Sequence, residues 1–220
     1  IYPYSKGIIA QTSSAEKYIK DKFNHTNVKV IHNPVDLYGS NLKFEKEKLI
    51  INVGRFISSK HQDWLLNYFS SIKNPDWTLT FIGDGPNYNY IKNQAIKSDY
   101  NHLINFEGLI SNISEFYSKA SIFAFTSTSE GFPNALAEAM SAGCACISFD
   151  CSAGPSDLID DGENGFLIQE GNHESYIEKL NTLMHDSQLR SKIGRNASQK
   201  LKAFSKEKQS KKYLEFIFNN

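Results

Sequence analysis

Five apolar runs of strand length, residues 49–53 (LIINV), 78–82 (TLTFI), 103–106 (LINF), 121–125 (SIFAF) and 145–149 (ACISF), alternate with segments of helical periodicity. Runs this short and this continuously apolar are strands buried on both faces, and the segments between them supply the cover. Helices are expected at about residues 62–72, where Trp64, Leu65, Tyr68 and Phe69 recur at helical spacing, then at 88–97, 113–119 and 133–142. The pattern is that of an α/β, doubly wound parallel sheet, whose ligands bind beyond the carboxyl ends of the strands.

The flanks are less regular. Residues 1–38 offer one strand (7–10), an N-cap at Thr12-Ser13-Ser14, a helix (15–23) and a second strand (28–31) ended by Asn33-Pro34. One such unit cannot form a core by itself, so it must pack on the rest or on chain not present. Residues 39–48 have the Gly, Ser, Asn, Lys and Glu content of a linker. Beyond residue 150 a loop-rich stretch, CSAGPSDLIDDGENG, precedes a short strand at 166–168 and helices at 174–184, 188–204 and 206–218.

Of the 220 residues, 40% are hydrophobic and 22% charged, which is the composition of a folded soluble domain rather than a disordered one. With 24 basic and 24 acidic residues the net field gives no reason to expect nucleic acid as a partner. The charge is uneven, however: residues 192–212 hold eight Lys or Arg and only Glu207 as acid. That run is either a solvated helix face or a peripheral contact with an anionic inner leaflet. Cys144, Cys146 and Cys151 are odd in number, and no histidine follows at finger spacing, so reduced, partly buried thiols of a cytosolic protein are expected rather than zinc. No apolar run approaches the roughly 20 residues needed to span a bilayer. The sequence opens on Ile1, without methionine, and is expected to be a piece of a longer protein.

The chemistry concentrates in residues 126–143, TSTSEGFPNALAEAMSAG, which join the fourth run to its helix. Pro133 suits the first helical position. Glu130 then lies on the loop and Glu138 more than a turn inside the helix, with Gly131 allowing close backbone approach. Two carboxylates and a helix amino end thus surround one small polar ligand. On the same sheet edge, the loop after the first run carries Arg55 and Lys60, two cations suited to a phosphate group.

Other motifs narrow the class. Gly83-Asp84-Gly85-Pro86 follows the second strand and lacks the third glycine of the dinucleotide fingerprint, so a nicotinamide dehydrogenase is disfavoured. No Asp-x-Asp pair offers obvious ligands for a cation-held diphosphate, and no Gly-x-Ser-x-Gly elbow occurs. No metal and no cofactor are expected. An anion would rest on Arg55, Lys60 and helix amides, and a leaving diphosphate suits such a site.

With Gly54-Arg55, Lys60 and the EGFPNALAEAMSAG segment together, the chain resembles the nucleotide-binding half of the family-4 retaining glycosyltransferases, whose GT-B fold has two Rossmann-like domains. The resemblance covers residues 49–170 best. It implies that residues 1–38 are a remnant of the N-terminal acceptor domain, 39–48 a linker, 49–204 the nucleotide-sugar domain and 205–220 a C-terminal helix that crosses back. By position it implies that Arg55 and Lys60 bind the donor diphosphate, that Glu138 holds the ribose hydroxyls, and that Glu130 meets the donor sugar. The backbone of Gly131, Phe132, Pro133 and Asn134 would contact sugar and phosphate, and Leu109, in the 107–110 loop, the base. His61 departs from the pattern, since glycine commonly follows the lysine.

The implied reaction moves a hexose or N-acetylhexosamine from a nucleotide-sugar to a glycan or lipid-linked acceptor with retained configuration, as in bacterial surface polysaccharide synthesis. The 151–155 loop, CSAGP, looks like that of bacterial hexosyl- and N-acetylhexosaminyltransferases acting on surface polysaccharides, a likeness that implies a UDP-sugar. Arg55, Lys60 and Glu130 are the candidate catalytic residues. A binding module without turnover, or a nucleotide-sugar epimerase of the same fold, are the rival readings.

Overall fold

The computed structural model describes residues 4–38 and 45–219. Most of the expected linker therefore lies outside the described residues. Six parallel strands form the main sheet: β3 (Glu47–Val53), β4 (Thr78–Ile82), β5 (Ile104–Gly108), β6 (Ala120–Phe125), β7 (Ala145–Asp150) and β8 (Phe166–Gln169). Their order is β5-β4-β3-β6-β7-β8. Counted along the chain this is 3-2-1-4-5-6, the Rossmann order, with its reversal between β3 and β6.

Side-chain alternation sorts the core into two layers. Ile50, Leu79, Phe81, Ile122 and Ile147 face α2 (Gln62–Ile72), α3 (Tyr88–Ile96) and α7 (His173–His185), packing on Leu65, Phe69, Tyr176 and Leu183. Leu49, Ile51, Phe123 and Cys146 face the other way, towards α4 (Ile113–Lys119), α5 (Asn134–Ser141) and α8 (Ser187–Leu201), packing on Tyr117, Leu136, Met140 and Leu201. Both faces are covered, which is why the strands read as unbroken apolar runs.

β3 begins at Glu47, two residues before the apolar run. There the Ser121 hydroxyl donates to the Glu47 carbonyl at 2.5 Å, and Lys46 donates to the carbonyls of Tyr117 (2.8 Å) and Ala142 (3.0 Å). One ammonium thus serves the carboxyl ends of α4 and α5, where the helix dipole favours a cation. Gly194 of α8 meets the α5–β7 turn backbone to backbone: a Cβ there would lie 2.2 Å from the Gly143 carbonyl oxygen.

Residues 4–38 form the expected single unit, β1 (Ile8–Ala10), α1 (Ser13–Phe23) and β2 (Val28–Val30), with the two strands parallel. The unit seats on the larger domain. Val35 N–H donates to the Phe204 carbonyl at 2.9 Å, and the Ser13 N–H at the start of α1 donates to Asp157 at 2.9 Å. The last helix, α9 (Lys206–Phe218), returns to this unit, bringing Phe216 against Gly7. One cation of the basic run serves these contacts, since Lys206 pairs with Asp36 at 2.5 Å, while Lys200 pairs with Asp160 at 2.8 Å inside the larger domain. No helix among the described residues is long and apolar enough to cross a membrane.

Candidate active site

The reversal of strand order opens a crevice between the loops that leave β3 and β6, which are the loops carrying the candidate residues. A cavity of about 640 Å³ lies there. Its floor is glycine-rich, from Gly54, Gly83, Gly85 and Gly108, and its apolar wall comes from Val53, Ile82, Leu109, Ile110 and Ile113. Arg55, Asp84 and Glu138 supply the charge. Leu109 is 82% exposed, a large apolar side chain left at the lip of a cavity large enough for a nucleotide.

Lys60 does not line this cavity. Its ammonium is hydrogen-bonded to Glu130, and it lies 5.5 Å from the Phe125 ring centroid. The expected single constellation therefore has two neighbouring parts on the same two segments, Arg55 with Glu138 in the cavity and Lys60 with Glu130 beside it.

A ladder of hydroxyls holds the second part. Thr126 donates to the carbonyls of Lys60 (2.8 Å) and His61 (3.0 Å), Ser127 to that of Ser59 (3.2 Å), and the Thr128 N–H also to Ser59 (2.9 Å). Sequence reasoning gave these hydroxyls no role; a Ser/Thr run after a buried strand was the available signal. They fix His61 at φ 47°, in the left-handed region where glycine is favoured, and its ring stacks on Trp64 with centroids 3.6 Å apart. The loop thus takes the glycine conformation without the glycine. Burial lowers the His61 pKa, partly opposed by Asp63 and Glu170.

Pro133 corrects one expectation. It is the N-cap residue, not the first helical one, because the Asn134 N–H turns back to the Phe132 carbonyl at 2.9 Å. Among the described residues no side chain caps α5, and amides of a first turn have no partner within the helix to replace one. Gly131 and Asn134 are exposed while Phe132 is buried, its ring 5.8 Å from that of His32. Asn134 also accepts from the side chain of Asn33 at 3.1 Å. The 126–143 stretch therefore touches the first unit as well as the cavity.

Glu138 is half-buried, and burial raises its pKa; the Tyr117 phenol, donating to Oε2 at 3.0 Å, opposes the rise, and Asp36 adds to it. The pair Gly83 and Gly85, a weak turn signal in the sequence, has a steric role. A Cβ on Gly83 would stand 2.0 Å from the Gly54 carbonyl oxygen, and one on Gly85 2.5 Å from that of Phe56. The loop after β4 is thus packed on the Arg55 loop.

A family model, glycosyl transferases group 1, matches residues 37–200. The chain belongs to that family. The chain carries the C-terminal domain of a GT-B glycosyltransferase, and its six-stranded parallel sheet is one half of that fold. An uncharacterized glycosyltransferase of Haemophilus influenzae is 32% identical over 185 residues, 83% of this chain and 52% of the relative. The amylovoran biosynthesis glycosyltransferase AmsD of Erwinia amylovora is 26% identical over 223 residues, 98% of this chain and 63% of the relative. The chain therefore spans a little over half the length of these relatives. Among solved structures, a mutant of Staphylococcus aureus TarM in complex with fondaparinux, α-GlcNAc-glycerol and UDP superposes with a TM-score of 0.87 at 23% identity, over 96% of this chain and 43% of that one. Anabaena HepE with UDP and glucose gives 0.85 at 21% identity, over 98% and 64%. These likenesses are of fold.

The glycosyltransferase domain keeps its thiols out of reach. Cys144, Cys146 and Cys151 are all free and buried, and burial raises each pKa, that of Cys151 to about 11. The folded chain is expected to leave all three unreactive toward a disulfide reagent and to titrate three on unfolding, since the thiolate is the nucleophile. A fast-reacting thiol in the folded chain would count against that.

Proposed function

We propose that the whole protein is a retaining glycosyltransferase that transfers a hexose or N-acetylhexosamine from a nucleotide-sugar, by preference a UDP-sugar, to a glycan or lipid-linked acceptor of a bacterial surface polysaccharide. One observation carries the reading: the strand-order reversal puts a guanidinium, Arg55, and a half-buried carboxylate, Glu138, on one nucleotide-sized cavity with an apolar lip. UDP bound to TarM and HepE supports the donor, and a place in amylovoran biosynthesis for AmsD, with a lipopolysaccharide 1,6-galactosyltransferase of Escherichia coli among the relatives, supports the setting.

In this reading the base lies against Leu109, the ribose hydroxyls donate to Glu138, and the diphosphate meets Arg55, Lys60 and the amides of α5. As the glycosidic bond breaks, those groups stabilise the charge growing on the leaving oxygens. The acceptor attacks from the same face and loses its proton to the departing phosphate, while Glu130 orients the sugar and stabilises its positive charge. Residues 1–38 are assigned to the acceptor domain, 49–204 to donor binding and 205–220 to the crossing helix; catalysis by the whole enzyme needs no metal or cofactor in this scheme. Its setting is the cytoplasm, with peripheral contact to the inner leaflet through the unpaired part of the basic run.

Thermal unfolding with UDP, GDP or ADP tests the reading, and UDP is expected to raise the melting temperature most. Arg55→Ala should weaken that binding about 10- to 100-fold, the equivalent of one charged hydrogen bond of about 1.5–3 kcal/mol. Glu138→Gln should do two opposite things. Because the folded pKa is raised, the contribution of Glu138 to stability is present below its unfolded pKa and is lost as pH rises through the folded one. At neutral pH the variant should therefore melt higher than the parent yet bind nucleotide less well. Protection by none of the three diphosphates would sink the proposal.

A further inference from the structure

Glu138 must present its carboxylate to a diol in one geometry, and a flexible side chain on a helix does not do so unaided. Two donors from a ribose need oxygens whose lone pairs are aimed. What aims them is on α4. Ile113 of that helix lines the cavity, and one turn on, at i+4 and so on the same face, stands Tyr117. Tyr117 is fully buried, and its hydroxyl donates to Oε2 of Glu138 at 3.0 Å. Among the described residues nothing donates to Oε1.

Tyr117 is itself held. Its ring packs 5.7 Å from that of Tyr38 and 6.2 Å from that of Phe123, and its carbonyl accepts from Lys46. Among the described residues the buried phenol donates to Oε2 alone, and giving that bond up would leave a buried donor unpaired, so the bond is strongly enforced.

We propose that Tyr117 is the positioning residue of the ribose subsite, holding Oε2 of Glu138 so that Oε1 is presented to the cavity. The proposal rests on the nucleotide reading above. It makes one helix responsible for two parts of the donor, its amino end for the wall beside the base and its last turn for the carboxylate that meets the sugar of the nucleotide.

Selectivity and pH together separate positioning from a structural role. Charged and titratable groups facing Glu138 are Tyr117 from α4, Asp36 and Tyr38 from the segment after β2, and Arg55 and Asp84 across the cavity. Of these, Tyr117 is the one whose hydrogen bond favours the ionised carboxylate that a diol requires. Removing its hydroxyl should move the acid limb of nucleotide binding to higher pH.

The experiment is calorimetric titration of the full chain and of Tyr117→Phe with UDP, GDP, ADP and their 2′,3′-dideoxy counterparts between about pH 5 and 8. The parent should prefer the ribonucleotide to its dideoxy form. In Tyr117→Phe the ribonucleotide should weaken about tenfold with the dideoxy affinity kept, and the acid limb should shift upward. Incorporation of 3-fluorotyrosine at position 117, a stronger donor of nearly the same shape, should shift that limb downward and keeps the test alive if the phenylalanine variant folds poorly. Equal losses for ribo and dideoxy ligands, or no loss at all, would overturn the role of Tyr117 alone. A parent that does not distinguish the two sugars would overturn the ribose assignment of Glu138 with it.

Discussion

Lys60→Ala is expected to lower the stability of the free chain by about 2–3 kcal/mol and, in the same protein, to remove most of its affinity for a nucleoside diphosphate. The first effect follows from what is left behind. The side chains of Lys60 and Glu130 are only 18% and 10% exposed. Removing the ammonium strands a carboxylate that little water can reach, and breaking such a pair from one side costs more than the pair contributes. Relaxation cannot recover much, because Thr126 and Ser127 keep the backbone of residues 59–61 in place whatever the side chain. The second effect follows from charge, since Lys60 is the second cation of the proposed diphosphate site. A cycle with Glu130→Ala decides between the two contributions: urea unfolding should show the double variant recovering part of the stability, whereas nucleotide binding should stay weak. If Lys60→Ala unfolds at the same urea concentration as the parent, the pair contributes nothing and its burial has been misjudged.

That pairing illustrates what the sequence could and could not disclose. The apolar strands were legible because burial on both faces leaves no polar alternation to misread, and their alternation with helices implies a parallel sheet. The ends were not: Glu47 and Lys48 open β3 as charged residues beyond the helix cover, and β5, an edge strand, continues to Gly108 through an exposed Glu107. In the site, Arg55 and Glu138 could be assigned to one sheet edge from the loops that carry them. That Lys60 meets Glu130 instead of facing the cavity depends on the rotamers of two long side chains seventy residues apart, which no periodicity encodes. Tyr117 was invisible for a different reason. A buried aromatic on a helix is read as core, which it also is, and only its hydroxyl has a second task.

Gly83→Ala is expected to cost about 3 kcal/mol or more and to abolish nucleotide binding even in the molecules that remain folded. Two penalties coincide at that position. The backbone has φ 130°, which a side chain resists, and a Cβ would stand 2.0 Å from the carbonyl oxygen of Gly54, a backbone atom that cannot swing aside. Relief requires moving a loop, and Gly83 is bound on both sides: the Gly54 N–H donates to Ile82 at 3.0 Å, and the Gly83 N–H to Gly108 at 2.8 Å. Any shift therefore carries Arg55 one way or Leu109 the other, and both line the cavity. Gly194→Ala is the matched comparison. Its Cβ would meet the Gly143 carbonyl oxygen at 2.2 Å, an equally severe clash, but at the opposite edge of the sheet, before β7 rather than after β3. Both variants should unfold at much lower urea than the parent; calorimetry on the folded protein should find nucleotide affinity lost in Gly83→Ala and retained in Gly194→Ala. Retention in both would mean that the contact between the loops after β3 and β4 does not set the geometry of the cavity.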